Sequence, residues 1–171
     1  INARYRIHPT GEPTMLLGFA ELQQILAEAV VRGWIAGDAK RHYEEGIKAS
    51  FAWYHTYARE YAQYVTPQDA EKYLQQEAVK WDESLSAEQK IERIIFQKYC
   101  VSFFQGNWDP FLEHLRTGYP KFAHLNNTPI PYRWMYPDTE NKFNTENVKE
   151  AVTRQFGENN DKITSKPWWI K

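Results

Sequence analysis

Apolar residues recur at three- and four-residue steps along the first third of the chain, and this spacing predicts amphipathic helices. A first helix is predicted from Leu17 to Arg32, with Gly33 where a C-terminal cap belongs. Asp38 is a typical N-cap residue and predicts the start of a second helix. Because only a few residues join the two helices, we expect an antiparallel hairpin. The predicted buried faces are Phe19, Leu22, Leu26, Ala29 and Val30 in the first helix, and Ala39, Tyr43, Gly46, Ile47, Ser50 and Tyr54 in the second.

Two capping boxes predict where the next helices begin. Thr66 is followed by Pro67 at the first helical position and by Asp69 three residues after the cap. Ser86 and Gln89 have the same spacing and predict a second helix start. Each box satisfies backbone N–H groups that the first turn of a helix leaves without partners.

The helix after the second box is predicted to extend to about Phe104, with Gly106 ending it. Its side chains are apolar nearly all round, so we expect neighbouring elements to bury it on several sides. These side chains are Ile91, Ile94, Ile95, Phe96, Tyr99, Val101 and Phe103. A short helix from Phe111 to Arg116, started by Asp109-Pro110, then completes a second hairpin.

The pattern changes between Thr117 and Asn144, where four prolines exclude a continuous helix. Asn144 then caps a last helix that is predicted to extend to about Phe156, with Gly157 behind it. No stretch alternates as a strand would, so we predict an all-α fold of helical hairpins with a long irregular loop rich in proline and aromatic residues. The predicted segments are an irregular opening segment (1–16), the helical hairpins (17–116), the loop excursion (117–144), and the last helix with the tail (145–171).

Composition narrows the class of protein. Of the 171 residues, 42% are hydrophobic and 16% aromatic, which is too much apolar mass for a disordered chain. The formal net charge of −1 and the lack of a basic stripe argue against a nucleic-acid partner. No stretch is long and apolar enough to span a bilayer. The chain opens without a signal peptide or an initiator methionine, so we expect further residues upstream of Ile1.

Side chains that carry chemistry are sparse. The single cysteine, Cys100, lies in an apolar helical stretch, which is typical of a buried thiol. No two of the five histidines have the four-residue spacing of a zinc site, so neither a metal nor another cofactor is expected. Glu44 and Glu45 are adjacent on a helix and point to different faces, which makes them a poor acid–base pair for glycoside cleavage. We therefore predict a non-catalytic protein.

The first hairpin resembles a tetratricopeptide unit. Ala27 occupies a small-residue position of the first helix, and Ala39, Tyr43 and Gly46 repeat the small–aromatic–small spacing of the second. Small residues let two helix backbones approach closely, and the aromatic ring fills the gap between repeats. Other helical hairpins also need small residues where they cross, so this spacing leaves them open as alternatives.

Four motifs, taken in order, resemble the C-terminal region of the SusD/RagB family of nutrient-binding outer-membrane lipoproteins. The resemblance covers the chain from about Thr14 to its end. The motifs are Glu21-Leu22…Ile25-Leu26-Ala27-Glu28-Ala29…Tyr43…Gly46-Ile47…Ser50, then Gln97-Lys98-Tyr99, then Arg116-Thr117-Gly118-Tyr119-Pro120, and last Ile130-Pro131-Tyr132-Arg133…Tyr136-Pro137 with Trp168-Trp169 at the close. The last two are the most specific, because glycine, proline and aromatic residues at fixed offsets rarely recur by chance.

The resemblance implies a function and a location. Proteins of this family are lipid-anchored on the outer face of the outer membrane, where they cap a SusC-like TonB-dependent barrel. They hold oligosaccharides, or in some members peptides, for import through that transporter. The resemblance further implies that the tetratricopeptide helices are the scaffold that faces the transporter, and that the anchoring cysteine and several ligand contacts lie outside this chain.

Three aromatic residues are candidate ligand contacts. Trp81 and Tyr73 lie between the two predicted hairpins in a polar segment, where a sugar ring could stack on them. Trp108, flanked by Asn107 and Asp109, is a third candidate. The alternative, which the sequence favours for all three residues, is that they fill the core of the scaffold.

Arg116 and Arg133 lie within the third and fourth motifs. An arginine there could bind a substrate, but we predict that both satisfy backbone carbonyls of the proline-rich excursion, which the guanidinium fork does well.

Two other functions stay open. A tetratricopeptide adaptor would bind a protein or peptide and no sugar, although the excursion at 117–144 is long for a plain repeat array. A carbohydrate-active enzyme would need two carboxylates across a cleft, and the sequence reveals no such pair.

Overall fold

The computed structural model describes residues 7, 13–103, 105–123, 126 and 128–170, with the backbone alone at Arg59. The chain divides into two compact units between Glu113 and His114. The predicted all-helical fold is confirmed, because no strand occurs in these ranges. In the first unit lie α1 (Phe19–Val31), α2 (Ala39–Tyr57), α3 (Pro67–Leu74) and α4 (Ala87–Ser102), with a 3-10 helix (Arg59–Tyr64) between α2 and α3. The division falls within α5 (Asp109–Thr117), and the second unit holds α6 (Asp138–Phe143) and α7 (Thr145–Phe156).

The predicted hairpin of α1 and α2 is confirmed, and its turn is built as the sequence indicates. Gly33 has a φ of +72°, which residues with a side chain rarely adopt. The N–H of Trp34 donates to the carbonyl of Ala29, and that of Gly33 donates to Val30, so the last carbonyls of α1 are satisfied. At the start of α2 the Asp38 carboxylate accepts a hydrogen bond from the N–H of Arg41 at 2.9 Å.

The buried face of α1 differs from the predicted one. Phe19 and Leu22 are exposed, whereas the buried residues are Ala20, Gln23, Gln24, Ala27 and Glu28. The reason is the close approach of α1 to α2, which admits small side chains and amides that bond to the facing helix. The amide of Gln24 donates to the Tyr43 carbonyl at 3.1 Å, and Gln23 Oε1 lies 2.6 Å from Nδ1 of His42.

The core of the first unit surrounds Tyr43, which is fully buried. Its hydroxyl donates to the Val79 carbonyl at 2.7 Å, and its ring centroid lies 5.2 Å from that of Trp81. Burial raises the pKa of the Tyr43 phenol, so the group stays a neutral donor. The cluster consists of Ala27, Tyr43, Ile47, Leu74, Val79, Trp81 and Ile94. Burying a side chain such as Ile94 contributes about 1.5–3 kcal/mol.

Both predicted capping boxes are confirmed. Thr66 and Asp69 bond to each other's backbone N–H groups at the start of α3, and Ser86 and Gln89 do the same at the start of α4. The Asp69 carboxylate also accepts from the Thr66 hydroxyl at 2.6 Å and from the Lys72 ammonium at 3.1 Å. These hydrogen bonds, first that from the Thr66 side chain and then that from its backbone, lower the pKa of Asp69 from its ordinary 3.8 to about 2.

A charge cluster centred on Lys98 connects three helices. Its ammonium lies 2.6 Å from Glu113 Oε1 on α5 and 4.0 Å from Glu21 Oε1 on α1, and all three side chains are largely buried. Burial raises the pKa of Glu21, while the nearby Lys98 charge opposes that rise. Two carboxylates therefore share one cation in a poorly solvated place.

The segment predicted as a loop at 117–144 contains a short helix, α6. It starts directly after Pro137, and no proline follows within its six residues. The prolines exclude a helix that crosses them but not one that begins behind the last of them. Most of the predicted opening segment, 1–16, and the predicted helix end at Phe104 lie outside the described residues; α4 ends at Ser102.

Gly46 tests the close approach of α1 and α2. A Cβ at this position would lie 2.4 Å from Gln24 Nε2 and 3.1 Å from the Ala20 carbonyl oxygen. We expect Gly46→Ala to lower the free energy of unfolding by about 1–3 kcal/mol, measured by urea denaturation, because the helices must separate. The higher helix propensity of alanine would by itself raise the free energy of unfolding of this variant by up to about 1 kcal/mol. A more stable variant would therefore contradict the packing described here, and Ala52→Gly, on the exposed side of α2, calibrates the propensity effect.

The box at α3 predicts a pH dependence. Because the folded-state pKa of Asp69 lies below its ordinary value, its stabilisation is fully present above 3.8 and is lost as the pH falls towards about 2. The difference in unfolding free energy between the wild type and Asp69→Asn should shrink across this window, as followed by denaturant titration at several pH values. In a Thr66→Val background the same difference should vary less with pH. A difference that stays constant throughout the window would show that Asp69 is not held by the cap.

Candidate functional site

Trp81 is an integral part of the core. Its exposed fraction is 7%, and its indole packs against the Tyr43 ring at an interplanar angle of 47°. The indole N–H donates to Glu83 Oε1 at 2.8 Å, so the buried polar atom of the ring is satisfied. In this position the ring stabilises the first unit and presents only a small area outward.

That small area opens onto a polar groove of about 440 Å³, which we call the Trp81 groove. The second carboxylate oxygen of Glu83 accepts from the Lys90 ammonium at 2.7 Å, and this ammonium also lies 5.5 Å from the indole centroid. The hydrogen bonds from Lys90 and then Trp81 lower the pKa of Glu83. The groove is lined by Val30, Val31, Gly37, Asp38, Ala39, Trp81, Glu83, Ala87 and Lys90. The groove thus contains two carboxylates, one ammonium and part of an indole ring. The carboxylates can accept hydrogen bonds from hydroxyl groups, and the ammonium can donate to them.

Tyr73 lines a different concavity, a mainly apolar cavity of about 180 Å³ that we call the Tyr73 cavity. Its ring packs on Phe51 at a centroid distance of 5.6 Å. Its hydroxyl exchanges hydrogen bonds with the side-chain amide of Gln97, at 3.1 and 3.3 Å. Burial raises the pKa of the Tyr73 phenol.

Trp108 has the most accessible ring of the three candidates. It is 53% exposed at the start of α5 and makes an edge-to-face contact with Phe111, with centroids 6.1 Å apart. Trp81 and Tyr73 each line a separate concavity, and Trp108 lines neither. The fold therefore does not join the three into one aromatic platform, and ligand contact by each of them stays a prediction.

Sequence reasoning did not select the polar residues of the Trp81 groove. The sequence predicts Asp38 only as a helix cap, and Glu83 and Lys90 stand in a charged stretch without a motif. Trp34 is a further aromatic residue that the sequence does not single out. It is exposed in the turn between α1 and α2, where the Arg32 guanidinium lies 5.4 Å from its ring. Its place beside the Gly33 cap was the one available signal, since an indole next to a tight turn has little core to enter.

Arg133 has a structural role, but not with the partners predicted for it. Its guanidinium forms an ion pair with Asp161 and lies 4.4 Å from the Phe156 ring centroid and 5.5 Å from that of Tyr136. The other oxygen of Asp161 accepts from the backbone N–H of Tyr136 at 3.1 Å. The pair thus connects the proline-rich excursion to the tail through a side-chain carboxylate, where backbone carbonyls were predicted.

In the ranges that the structure describes, no three histidine, cysteine, aspartate or glutamate side chains converge as metal ligands would. His8 and His124, two of the five histidines considered in the sequence, lie outside those ranges. No described helix has both the length and the apolar character needed to cross a bilayer.

Comparison with known proteins decides the family. Residues 1–137 match the SusD-like family that is described as starch-binding and associating with the outer membrane. The chain belongs to the SusD-like family. No curated protein sequence matches it significantly.

Solved structures of other SusD-like proteins have the same fold. A SusD homologue from Bacteroides fragilis is 56% identical over 99% of this chain, with a TM-score of 0.92. An outer-membrane protein from Bacteroides vulgatus, described in connection with nutrient binding, is 50% identical over 99% of the chain, also with a TM-score of 0.92. A chitin-binding protein is 27% identical over 89%, with a TM-score of 0.69. The chain spans 38%, 37% and 32% of these three structures, so it corresponds to about a third of a SusD-like protein.

The ion pair between Arg133 and Asp161 in the second unit of this SusD-like chain leads to a prediction about stability. Arg133→Met should lower the free energy of unfolding by about 1–3 kcal/mol, because Asp161 is then left poorly solvated without its cation. Chemical denaturation followed by circular dichroism measures the loss. Arg154→Met is the matched control: its pair with Glu150 is exposed at 3.5 Å and should change stability by less than about 0.5 kcal/mol. Equal effects of the two variants would refute a structural role for Arg133.

Proposed function

We propose that this chain is part of a non-catalytic SusD-like protein that captures oligosaccharides, with peptides as the alternative ligand, at the cell surface. In this proposal the ligand is delivered to a SusC-like TonB-dependent barrel, and the complete protein is held at the outer membrane by a lipid anchor outside this chain. The observation that carries the proposal is the family match, since the family is described as starch-binding and outer-membrane-associated. The chitin-binding relative extends the same ligand class to a second polysaccharide.

The chemistry of the Trp81 groove supports a polyhydroxylated ligand. Sugar hydroxyls both donate and accept, so they need acceptors and donors side by side. Asp38 and Glu83 supply acceptors there and Lys90 supplies donors. Among these, Glu83 and Lys90 already hold each other in place, which lowers the ordering cost when a ligand binds.

Trp108 supports the same ligand class in a different way. About half of its surface is accessible, and Phe111 contacts the ring edge to face. A half-exposed indole supplies apolar surface on which the C–H side of a pyranose can pack. Trp108 and the Trp81 groove are thus two separate proposed contact points.

Calorimetric titration of the full-length protein with maltooligosaccharides, chitooligosaccharides and short peptides tests the proposal. We expect one sugar series to bind, and either Trp108→Ala or Glu83→Gln to raise the Kd about 3- to 10-fold through a lost stacking contact or hydrogen bond. Trp168→Ala removes an equally large, more exposed indole and serves as the control. Trp81→Ala is unsuitable, because loss of the buried ring would unfold the site together with the core.

The possible results separate the alternatives. Sugar binding that no variant weakens would move the contacts out of this chain while retaining capture as the function. No binding to any sugar or peptide would contradict capture and favour a tetratricopeptide adaptor. Recovery of an outer-membrane barrel with the affinity-purified protein from membranes would support the delivery step, and repeated absence of such a barrel would contradict it.

A further inference from the structure

The side of α1 that faces away from α2 is apolar. Large apolar side chains along α1 and just before it are between 37% and 95% exposed: Leu16, Leu17, Phe19, Leu22 and Ile25. The two charged residues of α1, Glu21 and Glu28, are largely buried and pair with Lys98 and Arg32. A helix side that faces water normally carries charged and polar residues, so this side has the composition of a packing surface.

The apolar residues of α1 form one stripe, which we call the Leu22 face. It consists of Phe19, Leu22, Ile25, Leu26 and Ala29, of which the last two are half-buried. At 3.6 residues per turn the stripe lies on the side of the helix opposite to Gln24 and Ala27, which are buried against α2. The steps from Phe19 to Leu22, Leu26 and Ala29 are three, four and three residues, the spacing of a seam between two helices. The α1 helix thus has two packing sides, of which α2 covers one.

The chemistry of the Leu22 face restricts what can cover it. None of its side chains can form a hydrogen bond, so the hydroxyl groups of a sugar would find no partners there. No lysine or arginine lies within α1, whereas a helix that docks on an anionic membrane surface normally carries basic residues beside its apolar stripe. A straight apolar stripe about three turns long, roughly 15 Å, fits the apolar side of another helix.

The size of the relatives indicates where this other helix comes from. The Bacteroides fragilis and Bacteroides vulgatus proteins share the fold over 99% of this chain, yet the chain corresponds to only 38% and 37% of them. The larger part of a SusD-like protein is therefore available to cover the Leu22 face. A tetratricopeptide-like hairpin cannot bury its outer side alone and does so by stacking on a neighbouring hairpin.

We propose that an amphipathic helix of the same SusD-like protein, from the part outside this chain, packs along the Leu22 face. The α1 helix is then the middle layer between α2 and that helix. The inference rests on the proposed function only in taking this chain as part of a longer SusD-like protein, and it is independent of the ligand and of its delivery.

Thiol labelling of the purified full-length protein tests whether the face is covered. Leu22→Cys is made in a background in which Cys100 and every cysteine outside this chain are replaced, and labelling by N-ethylmaleimide is followed by intact mass. We expect the native protein to react at least about tenfold more slowly than the urea-denatured one, at every protein concentration. Ala52→Cys, on the exposed side of α2, should react at nearly the same rate in both states. Ile25→Cys supplies the same measurement if circular dichroism shows that Leu22→Cys disturbs the fold.

Photo-cross-linking then identifies the covering segment. Phe19→p-benzoylphenylalanine replaces one exposed aromatic side chain with a photoreactive one. We expect illumination of the purified protein to give a cross-linked product of monomeric mass, in which residue 19 is joined to a peptide outside this chain.

Several results would overturn the proposal. Native Leu22→Cys that reacts as fast as the denatured protein would show that the face is open to solvent. Protection that grows with protein concentration would assign the face to a second copy, and protection that appears only in membranes containing the barrel would assign it to the transporter. Cross-links confined to peptides of this chain would likewise exclude an outside helix. None of these measurements uses a sugar or peptide ligand, so the capture proposal is judged separately by its own titration.

Discussion

The first unit depends on the complete burial of one tyrosine. Tyr43 is contacted from three sides: its carbonyl accepts from Gln24 of α1, its ring packs on Trp81, and its hydroxyl donates to the carbonyl of Val79. The donor and the acceptor come from segments 19 residues before and 36 residues after it. If either the Gln24 segment or the Val79 segment moved away, a polar group of Tyr43 would be left buried without a hydrogen bond. The α1–α2 hairpin and the segment that contains Val79 therefore stabilise each other.

This constraint explains the small residues nearby. Gly46 lies one turn after Tyr43, and any side chain there would strike the Gln24 amide. Ala27 is fully buried at the same helix pair. The two backbones therefore approach closely where the amide crosses between them, and the apolar side chains of α1 that find no room at this contact face outward. The buried face of α1 thus includes the amides that bond across the hairpin.

Local signals in the sequence predicted local structure well. The caps at Gly33, Thr66 and Ser86 act within four residues of themselves, so their spacing contains the information needed. The buried face of α1 could not be predicted in this way, because hydrophobic periodicity ignores an amide that bonds to another helix. The Asp161 partner of Arg133 stands 28 residues further along the chain, with no motif to mark it.

The candidate sites show the same limit. Trp81 lies in a polar stretch and is a candidate ligand contact from the sequence, yet the core cluster around Tyr43 leaves only 7% of it exposed. Its polar neighbours Glu83 and Lys90 line a groove only because residues of α1 and of the start of α2 form the opposite wall. The Tyr73 cavity is likewise formed by residues of four helices and of the stretch before α3. The residue types indicated which side chains could contact a ligand. Which of those side chains are accessible depends on the packing of segments that are distant in the sequence.

The shared cation of Lys98 has a consequence for how this family diverges. Glu21, Lys98 and Glu113 come from three helices, and their side chains are only 13–23% exposed. Replacing the lysine alone would leave two carboxylates to repel each other, and neutralising both acids alone would leave an unpaired ammonium. The effects of substitutions at these three positions on stability should therefore be coupled. Lineages of SusD-like proteins should keep the trio or lose it together, so its residues should covary across the family although they are far apart in the chain.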